Sequence, residues 1–248
     1  SSTVLGSIQM ITYFVTPAHR YTMDTFLETW GAELRSAIQV RGYHELAGVQ
    51  WLPGGTYIFS DLERLTPALT MLAAEVWKQL ETAGSLVRLF NHPARVLRRT
   101  ELLQTLHASG RNTFKVHPVA NGRSQWRFPV FLRCANDHDG SRTDLLHTPE
   151  AVEANIHAAL CYGHDPRELI VTEYANTADD DGIHHKYAAF RVGGKIVPRN
   201  LVFSRKWMLK YPDLLDCEKA AREMEYLAGN PHEAALRATT FVASPRRR

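Results

Sequence analysis

The first third of the chain alternates short apolar runs with longer segments of helical period, and this alternation restricts the fold most. Residues 8–15 (IQMITYFV) read as a strand. Over 22–34, Met23, Phe26, Leu27, Trp30 and Leu34 fall on one helical face, which predicts a helix with that stripe buried. A short strand over 40–43, a turn at Pro53-Gly54-Gly55 and a strand over 56–60 (TYIFS) follow. Asp61 then stands at a strand end, and Pro67 opens a helix over 66–83. Residues 87–90 (VRLF) read as a further strand. Strand, helix, strand, helix, strand is the order of a small parallel α/β layer. Asn91-His92-Pro93 interrupts it, so a boundary is expected there, with domains over 1–92 and 93–248.

The second segment begins with a predicted helix over 99–109, stopped by Gly110. Strands are expected over 113–119 and 127–133, then a polar loop, then a helix from Pro149 to about residue 162 capped by Thr148. Residues 169–174 (LIVTEY) carry strong strand propensity. Two strands, 187–192 and 195–202, flank Gly193-Gly194 as a hairpin. A polar helix over 216–228 and a final helix after Pro231 complete the reading. The expected class is α/β (α+β overall).

Hydrophobic residues make up 44% and charged residues 22%, enough for a packed core and too apolar for wholesale disorder. The longest apolar runs are too short and too interrupted to cross a bilayer, and no membrane partner is expected. The three cysteines, Cys134, Cys161 and Cys217, form no CxxC pair. Their odd number and wide spacing suit buried, inert thiols in a reducing compartment, with a nucleophilic cysteine as the alternative. With no secretory pattern at the start, the expectation is cytoplasmic. A net charge of +3 is too mild to indicate nucleic acid and suits a basic site for a small anion.

No GxSxG elbow, HExxH, CxxC or GxxxxGK[ST] loop is present, which counts against an α/β hydrolase and a P-loop NTPase. One segment is unusual in another way. In FPVFLRCANDHDGSRTDLL (128–146) an apolar strand delivers Arg133 into a loop of polar residues with Gly140 and Ser141. Glycine admits a phosphate close to the backbone, and arginine grips two phosphate oxygens. On spacing alone an ordinary polar loop, with Arg133 paired to Asp137 or Asp139 at a sheet edge, is the better reading, and phosphate contact rests on the resemblance given below. His184 and His185 beside Asp179, Asp180 and Asp181 fit no standard zinc spacing and read as a solvated loop.

In order, VLRRTELLQTLHASG, FPVFLR with NDHDGSRT, LIVTEYANT and HHKYAAFRVGGKIVPRN resemble the opening helix, phosphate-covering strand and loop, nucleotide hinge and following hairpin of the ATP-grasp superfamily. TYIFSDLERL resembles the α/β domain that often precedes it, and the likeness runs through residues 10–237. No single motif is sharp; the ordered series carries the resemblance. It implies a small N-terminal α/β subdomain and an incomplete ATP-grasp-like domain. It also implies ATP, with Arg99, Arg133, Ser141 and Lys186 around the phosphates and Glu173 and Tyr174 around the adenosine. Arg199 would hold phosphate or an acid substrate, and Arg133 and Arg199 are the catalytic candidates. Ala188 departs from the basic residue that often follows this tyrosine.

The family also uses Mg²⁺, held by an acidic residue and a Glu-x-Asn pair on late strands. Neither follows here before NPHEAALRATTFVASPRRR, so the metal's usual ligands are missing from the sequence. The expected function is therefore a ligase that phosphorylates an unidentified carboxylate for attack by an amine. The alternative is an inactive module that binds a nucleotide or a partner, and an unrelated α/β hydrolase is a weaker one. Loss of late strands would leave a sheet edge that a second copy of the chain could cover.

Overall fold

A computed structural model describes residues 10–48, 52–122, 125–137 and 139–232. It has an α/β fold with parallel and antiparallel sheets, and it divides into two compact units, residues 1–109 and 110–248.

The first unit is the parallel layer that the alternation predicted. Strands β1 (Ile11–Val15), β2 (Ile38–Gly42), β3 (Gly55–Phe59) and β4 (Val87–Phe90) pair in the order β2-β1-β3-β4, every pair parallel. Between β1 and β2 runs α1 (Arg20–Glu28), and between β3 and β4 runs α2 (Pro67–Glu81). Thr66 caps α2, accepting the Leu69 N–H while Pro67 occupies the first turn. Ala73, Val76, Trp77 and Leu80 of α2 join Phe14, Tyr57 and Phe59 of the sheet in one core.

The expected helix over 22–34 is shorter than its apolar stripe. It ends at Glu28, a single 3-10 turn covers Ala32–Leu34, and Trp30 is 91% exposed. The Phe26 ring stands 2.3 Å from where a Gly31 Cβ would be, so the ring folds over the chain reversal there. Only Leu27 of α1 is fully buried.

Helix α3 (Arg99–Ala108) follows, and Gly110 beyond it has φ of 68°. The compact division after Ser109 lies 17 residues beyond the boundary expected from Asn91-His92-Pro93 and puts α3 in the first unit. There the Arg98 guanidinium donates to the Leu65 carbonyl at 2.7 Å.

The second unit is antiparallel. Strand β7 (Leu169–Glu173) lies between β5 (Val116–Pro118) and β6 (Val130–Cys134). Helix α4 (Pro149–Cys161), capped by Thr148, covers one sheet face: Val152 and Ala159 pack on Val130, Leu132, Leu169 and Val171. A separate hairpin joins β8 (His184–Val192) to β9 (Lys195–Ser204) and is wider than the 187–202 expected. Gly193 turns it at φ 59°. Its register slips between Ala188, opposite Asn200, and Ala189, opposite Pro198, so Arg199 is the extra residue of a bulge. Helix α5 (Cys217–Gly229) packs Tyr226 on Leu201 and Phe203 of β9. The helix expected after Pro231 falls largely outside the described residues.

Candidate functional site

Antiparallel register sets Phe131 of β6 beside Thr172 of β7. Strand alternation turns both away from the face on which Leu132 and Val171 meet α4. The chain leaving β9 crosses the region of this second face. Its Trp207 ring lies 5.0 Å from the Phe131 ring and 6.0 Å, edge on, from Tyr174. Phe114, Phe131, Thr172, Tyr174, Trp207 and Met208 line a cavity of about 170 Å³ here.

The polar atoms of this cavity are unevenly used. Thr172 is 4% exposed, and its hydroxyl is fully buried without a hydrogen-bond partner. Such a group is uncommon, because an unpaired buried hydroxyl loses its water and gains nothing in return. Tyr174 donates its hydroxyl to Asn176 Oδ1 at 3.0 Å, and burial raises its pKa.

Glu173 also borders the cavity, but its carboxylate is committed elsewhere. It accepts the Lys115 N–H at 3.0 Å and the Arg127 N–H at 3.1 Å, with His117 Nε2 and Arg127 Nε each at 3.5 Å. Burial would raise its pKa, but the amides of Lys115 and Arg127, with His117 and the Arg127 charge, outweigh that and lower it. The expectation that this carboxylate reaches adenosine meets a side chain that instead ties β7 to the segments before β5 and β6.

Arg133 lies two residues beyond Phe131 on β6 and so shares its face, roughly 6.6 Å further along the strand. Its Nε donates to the Cys134 carbonyl at 3.4 Å. The polar loop doubles back along β6: Arg142 N–H donates to Leu132 O at 2.8 Å and Leu132 N–H to Thr143 Oγ1 at 3.1 Å. Gly140 has φ of 96°, and a Cβ there would come within 3.7 Å of Met208. The glycine thus brings the loop, with half-buried Ser141 beside it, against a residue of the cavity wall. Asp139 faces Lys210 Nζ at 3.7 Å, an exposed pair, while Arg133 and Asp137 each have a further partner.

Within the same unit, neither Lys186 nor Arg199 lines this cavity. Lys186 is exposed on the hairpin face opposite Tyr187, whose ring packs on Tyr226 of α5. Exposed Arg199, at the bulge, lies over the Phe190 ring at 5.6 Å. Arg99 opens α3 in the first unit. The anchoring of Arg98 on Leu65 separates the two adjacent arginines, giving Arg98 a bracing role.

The His184–His185 segment is more ordered than a solvated loop. Asp179 accepts N–H groups from Asp181 and Ile183 and faces His185 Nε2 at 3.0 Å. The Ile183 amide and the His185 ring lower its pKa. Among the described residues, no three His, Cys, Asp or Glu side chains are grouped to hold a metal. Cys134 is half-buried, with its pKa raised first by burial. Cys161 and Cys217 are exposed, contrary to the buried reading of the cysteines. No helix among the described residues is long and apolar enough to cross a membrane.

Phe114, Phe131, Thr172, Trp207 and Met208 were not anticipated. Phe131 was legible in principle, because residues of the same parity as Arg133 share its face. Trp207 and Met208 follow a strand in a stretch without period, where sequence pattern carries no information on contacts.

The chain matches no family model and no curated protein. A solved structure, that of an L-amino acid ligase from Bacillus licheniformis, is similar at 12% identity and a TM-score of 0.39. The match covers 84% of this chain and 53% of that one, so the chain spans about half the ligase's length.

Proposed function

We propose that the cavity at the end of β7 receives the base of ATP, and that the protein is an ATP-grasp-like ligase activating a carboxylate for attack by an amine. The observation that carries the first part is the unpartnered Thr172 hydroxyl in a cavity walled by Phe131, Tyr174 and Trp207. Aromatic walls suit a flat heterocycle, and the orphaned hydroxyl suits a ring atom able to complete its hydrogen bond. Arg133 on the same face and the glycine-bearing loop against Met208 suit the phosphates. The second part rests on the ordered sequence resemblance.

In that chemistry a carboxylate oxygen attacks the γ-phosphorus and ADP leaves. The amine then attacks the acyl phosphate carbonyl, phosphate departs and the amine loses a proton. Arg133, Ser141 and the loop backbone are assigned to the phosphates, with Lys186 as a further cation. Arg199 is assigned to phosphate or the acid, and Tyr174 to adenosine. Glu173 is assigned a bracing role. Among the described residues no three His, Cys, Asp or Glu side chains are grouped to hold a metal, and the chain's own cations are assigned part of the charge neutralisation.

The cavity lining, which includes neither Lys186 nor Arg199, favours a second reading, a module that binds nucleotide without turnover. Thermal unfolding with ATP, with and without Mg²⁺, tests both, since a ligand of the folded state raises its midpoint. A shift that requires Mg²⁺ supports the ligase, and a shift with ATP alone supports the module. An unchanged midpoint in both conditions ends the nucleotide reading.

A further inference from the structure

The face of the sheet that meets α4 has a cavity of its own. About 250 Å³ lies between β5, the turn that follows it and α4, and Val119, Trp126, Ile156, Leu160 and Val171 form much of its wall. Val171 borders this cavity and its neighbour Thr172 borders the other, so alternation along β7 sets the two back to back across one sheet.

The wall is mostly hydrocarbon, and its polar side chains are largely occupied. His117 faces Glu173 at 3.5 Å, and His157 contacts Cys161 Sγ at 3.7 Å. Glu153 also has a partner. Trp126 Nε1 differs: it is fully buried and has no hydrogen-bond partner. Buried indoles normally find an acceptor, because an unmade bond at a desolvated donor is costly. A water molecule suits the place poorly, since a buried water needs two to four polar partners.

We infer that this cavity is a binding site for a small, neutral, mainly apolar molecule bearing one hydrogen-bond acceptor, such as an aromatic ketone or ester. The reasons are separate for each property. An indole N–H only donates, so the ligand supplies an acceptor. The carboxylate on the wall, Glu153, already has a partner and repels anions, so a neutral ligand suits the mostly apolar lining. The volume exceeds the roughly 150 Å³ that accommodates benzene and falls short of the roughly 300 Å³ where drug-sized pockets begin.

The test uses ¹⁵N-labelled full chain and two probes of nearly equal shape, acetophenone and ethylbenzene. The indole N–H signal lost in Trp126→Phe identifies Trp126. Acetophenone shifts that signal downfield in a saturable manner and binds about five-fold tighter than ethylbenzene, the worth of one neutral hydrogen bond. Trp126→Phe removes this preference. Leu160→Phe, at an exposed position on the rim, weakens both probes while leaving the fold measurable by circular dichroism. Absence of a saturable shift overturns the inference, as does a preference for acetophenone that survives Trp126→Phe or binding of both probes that Leu160→Phe leaves unchanged. ATP is not involved, so the result is independent of the nucleotide reading.

Discussion

Thr172 and Glu173 are adjacent, both almost fully buried, and opposite in how their polar atoms are used. Glu173, 5% exposed, takes two backbone N–H groups and faces a histidine and an arginine. Thr172 has no partner at all for its hydroxyl. One strand thus carries a polar group that holds the unit together and another whose hydrogen bond is left unmade. Burial alone does not separate these roles; the partners do. In the proposed reading, the saturated residue serves the fold and the incomplete one serves the ligand.

The largest effect is expected at Glu173. Glu173→Ala strands the Lys115 and Arg127 amides in a buried place and should lower stability by about 3 kcal/mol in urea titration. A loss under about 1 kcal/mol breaks the comparison, because the carboxylate would then be dispensable to the fold. Acid sharpens the same point. A carboxylate whose folded pKa is lowered contributes its full stability above the ordinary value of 4.5 and loses it as pH falls through the folded value. The gap in urea midpoint between wild type and Glu173→Gln should therefore be widest near neutrality and close progressively below about pH 4. A gap that is flat across this range assigns the stability to packing.

Trp207 comes next. Trp207→Ala removes the ring beside Phe131 and Tyr174 and should cost about 2 kcal/mol in urea titration, less than a fully buried aromatic. It should also abolish the ATP-induced thermal shift. An ATP shift that persists in the variant removes the aromatic cavity from the proposed site. Arg133→Ala should weaken ATP about ten-fold by isothermal titration, the worth of one charge-assisted contact. Unchanged affinity assigns Arg133 to the sheet edge.

These residues also mark what the sequence made legible. Local signals were reliable where they act locally: Pro67, and Thr148 with Pro149, placed the starts of α2 and α4. Alternating strands and helices likewise identified the parallel layer. The periodic stripe ending in Trp30 and Leu34 misled, because Phe26 packs over Gly31 and the chain reverses there. Near the cavity, the sequence marked the strand β7 and named Arg133 and Glu173 as ligand candidates. A carboxylate at a strand end looks alike in both roles, and only the approach of Lys115 and Arg127, distant in sequence, decides between them. Trp207 lies 76 residues after Phe131, a contact no local pattern encodes.

The smallest effect on the fold belongs to Thr172, and it tests the comparison most directly. Thr172→Val keeps the branched shape and strand propensity while replacing the hydroxyl with a methyl. If that hydroxyl contributes no hydrogen bond within the protein, removing it relieves an unmet desolvation cost. Stability should then stay level or rise by up to about 1 kcal/mol. ATP affinity should move the other way, falling about five-fold as the ligand loses one hydrogen bond. Opposite signs in the two measurements separate a group kept for a ligand from one kept for the fold. A variant that loses both stability and affinity places Thr172 in the same structural class as Glu173.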